Sequence, residues 1–232
     1  MDPWRTPAVV NNAEWCDLVC RSHGARTRFD DDAWTSETRT PAYYPDAVTL
    51  VPDPSVPELM SRIDVSAGCS VKDSFASLDL TDDGFRVLFD AQWMVRERAA
   101  RQPTVASGRW ERVRTRGDLA TWEQAWRGGD GPEGIFTREL LDHDSVAVLA
   151  SIADERVVAG AVLYRSATVV GVSNFFADPG LVSAGWSGCL AFADSLFPGS
   201  PFVGYESGGA LVAARRHGFE TAGPLRVWVN DG

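Results

Sequence analysis

A chain of 232 residues with 44% hydrophobic content suits one large domain or two small ones, with enough length to bury a sizeable core. Its formal charge of −10 argues against a nucleic-acid partner, which needs a basic stripe. No stretch approaches the ~20 apolar residues of a membrane span.

The N-terminus carries no apolar export segment, because Asp17 interrupts the first apolar cluster. Cys16, Cys20, Cys69 and Cys189 are therefore expected to be free thiols of a cytoplasmic protein. Asn11 or Asn12 is placed to cap a helix through Trp15, Leu18 and Val19, with Gly24 as its stop. Residues 25–46 have no hydrophobic period and read as a long ordered loop, Tyr43 and Tyr44 lying between Pro41 and Pro45. A short strand is expected over 47–51, then a short helix through Ile63. Strands over 70–80 and 85–95 follow, joined by an Asp82-Asp83-Gly84 hairpin turn. Residues 96–107, charged and then small, read as a linker.

A second set of elements begins at Gly108. It runs strand 109–115, helix from Asp118, a Gly-rich loop 128–134 and a short helix 137–141. Strands 145–153, 156–165 and 168–177 follow. Next come helix 182–196, strand 201–205, helix 207–217, and strands near 219–222 and 225–229.

Chemistry concentrates where strand 168–177 gives way to helix 182–196. A strand that ends in a glycine turn and feeds a helix N-terminus offers unpaired backbone N–H groups and a positive dipole end, which suit pyrophosphate. The turn supplies Ala177, Pro179, Val182, Gly185, Ser187 and Leu190. The later helix supplies Ser207, Ala210, Gly218 and Phe219. Together with the element order, these residues resemble the acyl-CoA half of the GCN5-related N-acetyltransferase (GNAT) family. Val182 departs from that pattern by removing the polar residue of the loop. Ala214 departs by standing where the family has a tyrosine that protonates the departing thiolate.

The resemblance implies an α+β fold, a mixed and mostly antiparallel sheet flanked by helices. It places a GNAT-like domain at 105–232, behind an N-terminal region at 1–104. That region is expected either to be a degenerate, partial second copy or to be an unrelated α/β cover containing an ordinary hairpin. The implied co-substrate is acetyl-CoA or another acyl-CoA. Phe175, Phe176 and Ala177 would lie along its pantetheine arm, and Val182, Ser183, Ala184, Gly185, Trp186 and Ser187 around its pyrophosphate. The implied reaction is direct attack of an amine, on a small molecule or peptide, upon the thioester. Glu206 is the candidate base and Tyr205 the candidate acid. No metal, nucleic acid or membrane is implied, and the oligomeric state is left open. Because Val182 and Ala214 replace functional side chains, a non-catalytic sensor or scaffold stands as the alternative.

Three other signals are expected to be structural. Gly129-Asp130-Gly131-Pro132-Glu133-Gly134 matches G-x-G-x-x-G but does not follow a strand. Gly185-Trp186-Ser187-Gly188 is one residue short of a nucleophile elbow. Cys16, Cys20 and His23 have helical spacing but no evident fourth ligand.

Overall fold

The computed structural model describes residues 2–97, 109–129 and 131–232. Contacts divide the chain into two units, Met1–Trp93 with Ala222–Gly232, and Met94–Thr221. In chain order the elements are α1 (Arg5–Ser22), β1 (Thr27–Phe29), β2 (Ala33–Ser36), β3 (Ala47–Thr49), α2 (Val56–Ser61), β4 (Ser70–Asp73) and β5 (Phe85–Arg96). They continue with β6 (Arg109–Arg112), α3 (Arg116–Trp126), β7 (Val146–Ala153), β8 (Arg156–Arg165) and β9 (Val170–Ala177). The last are α4 (Val182–Leu196), β10 (Phe202–Glu206), α5 (Gly208–Arg216) and β11 (Glu220–Asn230). Mostly antiparallel strands flanked by helices make this an α+β fold, as the sequence leads one to expect.

The first unit orders its strands β1-β2-β3-β4-β11-β5. The β3–β4 pair is parallel, whereas β1–β2, β2–β3 and β4–β11 are antiparallel. Leu59, Ile63, Cys69, Val71, Leu80, Phe85 and Trp228 form one of its buried clusters. Polar hubs tie its loops. Asp46 is buried and accepts from the Thr40 and Ser70 backbone N–H groups at 3.1 and 2.9 Å. Arg62 donates to both Asp30 and Asp32.

Several expectations about this unit are corrected. Helix α1 starts at Arg5, so Asn11 and Asn12 lie within it and cap nothing; Asn11 is buried. The stretch 25–46 contains two short strands that an Asp-rich composition hides. The hairpin over 70–95 does not form, because β11 lies between β4 and β5, and β4 ends at Asp73. The buried Asp73 carboxylate then accepts from the Phe75 and Leu78 backbone N–H groups, turning the chain out of the strand. The hairpin common to both expectations for residues 1–104, partial second copy or unrelated cover, is therefore absent from the strand pairing.

The division also differs from one at 104/105. The chain passes between units inside β5, and β11 returns residues 222–232 to the first unit. Most of the expected linker, from residue 98 onward, lies outside the described residues. The two strands expected near 219–229 are one, continuous through Gly223 and Pro224.

The second unit orders its strands β10-β9-β8-β7-β6, antiparallel except for the parallel β9–β10 pair. One face packs on α4 and α5 through Leu149, Ala161, Leu163, Val170, Val172, Trp186, Leu190, Phe202, Ala214 and Phe219. The other packs on α3. Trp122 lies so close to β8 that a Cβ at Gly160 would sit 2.3 Å from its Nε1. That nitrogen donates to the Leu149 carbonyl at 2.8 Å. Thr115, rather than Asp118, caps α3, its Oγ1 accepting from the Asp118 N–H at 3.1 Å. Among the described residues no helix is long and apolar enough to cross a membrane.

Candidate functional site: the parting of β9 and β10

β9 and β10 begin as neighbours and then separate. The parallel ladder joins Phe202 with Val170 and Val203 with Gly171, and goes no further. The strands are still close at the next step, since a Cβ on Gly204 would lie 2.7 Å from the Val172 carbonyl oxygen. On its other edge β9 stays paired with β8 as far as Ala177. The register slips between Val162–Ser173 and Gly160–Phe176, so that Asn174 and Phe175 together face Ala161. This is a β-bulge, and Asn174 accommodates it in the left-handed region at φ 53°. The bulge bends β9 away from β10 and leaves the edge of residues 174–177 without a ladder partner on that side.

The turn beyond is held at both ends. The Asp178 N–H donates to the Val158 carbonyl at 2.8 Å, and its carboxylate pairs with Arg156 at 2.9 Å. Gly180 takes φ 86°. Helix α4 then starts at Val182 behind Leu181, whose side chain cannot cap, so its first-turn N–H groups have no side-chain partner there.

The candidate residues divide by environment. Val182 and Ser183 are exposed, and Ala184 and Ser187 are half-buried. Gly185 faces inward, where a Cβ would lie 3.2 Å from both Ala177 and Phe175. Trp186 is buried, and Phe175 stacks on it. Phe176 points to the opposite face and meets Trp122 edge-on. The aromatic side chains thus build the floor and walls, and what this region offers a ligand is mainly backbone, Ser183 and Ser187.

His217, just past α5, lies against both serines. Its Nε2 is 3.2 Å from Ser183 Oγ and its Nδ1 3.4 Å from Ser187 Oγ. Burial, and then the charge of Arg96, hold this imidazole below its ordinary range. Arg96 also donates to the His217 carbonyl at 3.1 Å.

Glu206 ends β10. Its half-buried carboxyl has no hydrogen-bond or ion-pair partner among the described residues, and burial pushes its pKa up to about 7. Tyr205 beside it is half-buried and engaged with its surroundings. Ala214 is fully buried in the core rather than facing a cleft.

Three functional or anchoring features escape a sequence reading. The bulge at Asn174 has no local sequence mark, and the bridge from His217 to the two serines spans 30 residues or more. The third is Glu123 of α3, whose buried carboxylate accepts from the backbone N–H groups of Gly134, Ile135 and Phe136 at 2.9, 2.6 and 3.0 Å. That anchor accounts for the described part of the Gly-rich loop; Asp130 lies outside the described residues. The Cys16 and Cys20 thiols are buried on α1. Among the described residues no group of three His, Cys, Asp or Glu side chains is arranged to hold a metal ion.

No family model matches this chain, and no curated protein matches it. Solved structures do. A GCN5-related N-acetyltransferase from Kribbella flavida superposes with a TM-score of 0.64 at 12% identity, covering 95% of each chain. A GCN5-related N-acetyltransferase-like protein from Streptococcus suis gives 0.53 at 13% identity, covering 99% of each chain. A functionally unknown conserved protein from Staphylococcus epidermidis gives 0.61 at 11% identity, over 90% of this chain and 95% of that one. The chain has the GNAT fold. At such identities the likeness concerns the fold alone. It extends over nearly the whole length, so the GNAT neighbours from Kribbella and Streptococcus share both units and not only the C-terminal half.

Proposed function

We propose that the protein is an acyl-CoA-dependent N-acyltransferase that acts on a primary amine. The observation that carries this reading is the bulge at Asn174, with the parting of β9 from β10 that it produces. An open strand edge beside an uncapped helix N-terminus offers amide pairing for a pantetheine arm and unpaired N–H groups for pyrophosphate. The GNAT neighbours support acyl-CoA as the co-substrate class.

In this reading the acyl donor lies along Phe175–Ala177, its pyrophosphate over residues 182–187. The backbone of the open edge receives the thioester carbonyl. Glu206 takes a proton from the incoming ammonium, and a carboxyl with pKa about 7 is matched to that task at neutral pH. The free amine then attacks the carbonyl carbon, the C–N bond forms and the C–S bond breaks. With Ala214 in place of a tyrosine, the second proton, shed by the attacking nitrogen as the amide forms, passes through water to the departing thiolate.

Calorimetric titration with acetyl-CoA, in the parent and in Val182→Glu, tests the donor site. A glutamate at the first position of α4 suits the helix dipole and preserves folding, but sets a negative charge where pyrophosphate would sit. Saturable binding in the parent, weakened at least tenfold in the variant, is expected. Absence of binding in the parent would overturn the proposal and favour a scaffold. Binding without acyl transfer to any amine of a broad panel would favour a sensor, the reading that Ala214 supports.

A further inference from the structure

The burial of β5 changes half-way along it. A strand covered on one face alternates buried and exposed residues. Arg86, Val87, Leu88, Phe89 and Asp90 are instead all exposed, so neither face of this segment is covered. Val87, Leu88 and Phe89 are 38, 49 and 37% exposed. From Ala91 onward the strand is mostly buried.

β5 ends the strand order of the first unit, with β11 on its inner side. There Arg226 pairs with Asp90 at 2.7 Å, and Asp231 pairs with Arg86. The outer edge is taken only at the far end of the strand. Within the second unit, a Cβ on Gly204 would lie 3.1 Å from Met94 Cε. β10 has two residues on either side of Gly204, so it reaches along β5 no further than about Gln92. Open edges recruit another strand unless they are blunted. β6, the last strand of the second unit, is blunted by Arg109, Glu111 and Arg112, while Trp110 is buried. β5 carries three apolar residues in a row instead, which marks its edge for association.

The segment also specifies its partner. Arg86-Val87-Leu88-Phe89-Asp90 is self-complementary when run antiparallel about Leu88. Arg86 of one copy then stands opposite Asp90 of the other, Val87 opposite Phe89, and Leu88 opposite Leu88. Opposite charges and β-branched–aromatic pairs are cross-strand partners that stabilise an antiparallel ladder. No other antiparallel register of the segment sets both charges against their opposites. In-register parallel pairing would set arginine on arginine and aspartate on aspartate. The intrachain pairs of Arg86 and Asp90 are exposed and therefore weak, so both groups can share a second partner. We propose that residues 86–90 pair antiparallel with the same segment of a second copy of this chain. A two-fold contact of this kind closes on itself, giving a dimer and nothing larger. The inference does not depend on the acyltransferase reading.

The test is sedimentation of the full chain over a micromolar concentration series, with Arg86→Asp and Asp90→Arg run alone and mixed. The parent is expected to be a dimer. Each single reversal sets like charges opposite each other twice per dimer and should weaken association about tenfold. An equimolar mixture of the two variants should recover the parent's dimer, because both positions are then acidic in one chain and basic in the other. Leu88→Cys should form an intermolecular disulfide under diamide, the four native cysteines being buried. Val212→Cys, at a position 51% exposed on α5, should not. A parent that stays monomeric, or that assembles beyond a dimer, would overturn the inference. So would a dimer that neither reversal weakens, a mixture that stays monomeric, or equal cross-linking of the two cysteine variants. Should a charge reversal unfold the chain, the cysteine pair decides.

Discussion

Phe175 lies nearly face to face on Trp186, ring centroids 4.0 Å apart and planes 19° from parallel. The stack joins the bulged end of β9 to the second turn of α4, and so fixes the open strand edge relative to the helix N-terminus. Phe219 closes the far side of the indole, edge-on at 5.3 Å. Trp186→Ala should cost about 3–5 kcal/mol of stability through the cavity it leaves. Phe175→Ala should cost less, because Phe175 is only partly buried. A double-mutant cycle in urea should give a coupling of about 1 kcal/mol between the two rings. Additive single effects would mean that the stack contributes only burial.

Glu206 makes stability depend on pH. The folded protein holds this proton up to about 7, whereas the unfolded chain releases it near the ordinary 4.5. Its contribution is therefore fully present below pH 4.5 and is lost as pH rises through 7. Glu206→Gln should match the parent at pH 4 and exceed it at pH 8 by up to about 3 kcal/mol. Urea denaturation at the two values checks this. A constant difference would show that the carboxyl is solvated. In the acyltransferase reading the rate should rise through pH 7 in the parent, and this limb should be absent in the glutamine variant.

Glu123 secures the loop after α3 with a single carboxylate. Glu123→Gln replaces one oxygen by an NH2 that faces backbone donors, so at least one of three bonds is lost. A stability loss of about 1–3 kcal/mol is expected. Hydrogen exchange should quicken at Gly134, Ile135 and Phe136, and leave β8 and β9 unchanged.

Two glycines should respond in opposite ways to the same substitution. Gly160→Ala drives a methyl group into Trp122 and into the ring of Phe176, 2.6 Å from the added carbon, and should cost about 1–3 kcal/mol. Gly209 in α5 has no heavy atom within 4 Å of an added Cβ. Gly209→Ala should therefore stabilise by about 0.5–1 kcal/mol through helix propensity. Thermal unfolding of both variants checks the pair.

Much of the second unit was legible because its signals are local. The α4 span of 182–196 follows from an apolar stripe behind a glycine turn, and β8 from a continuous apolar run, buried from Val158 to Leu163, bounded by Asp154-Glu155 and Ser166. The first unit hid its pairing. β4 and β5 look like a hairpin because they are near in sequence and flank Asp82-Asp83-Gly84. Their true neighbour, β11, comes from the far end of the chain, and no local pattern encodes that. The cleft was legible as a place and not as a set of side chains. Gly185 and Trp186 fit a motif, yet their side chains serve packing. Asn174 fits no motif, because its importance comes from a register slip against Ala161.

The strand that completes the first unit is parted from the rest of it, in sequence, by the whole second unit. Trp228 belongs to the buried cluster of a unit whose other residues end at Trp93, so its sheet lacks a member until residues 222–232 arrive. The second unit draws on nothing beyond Thr221. A chain that emerges in order can therefore complete the later unit before the earlier one, and removal of residues 222–232 would uncover apolar surface of the first unit.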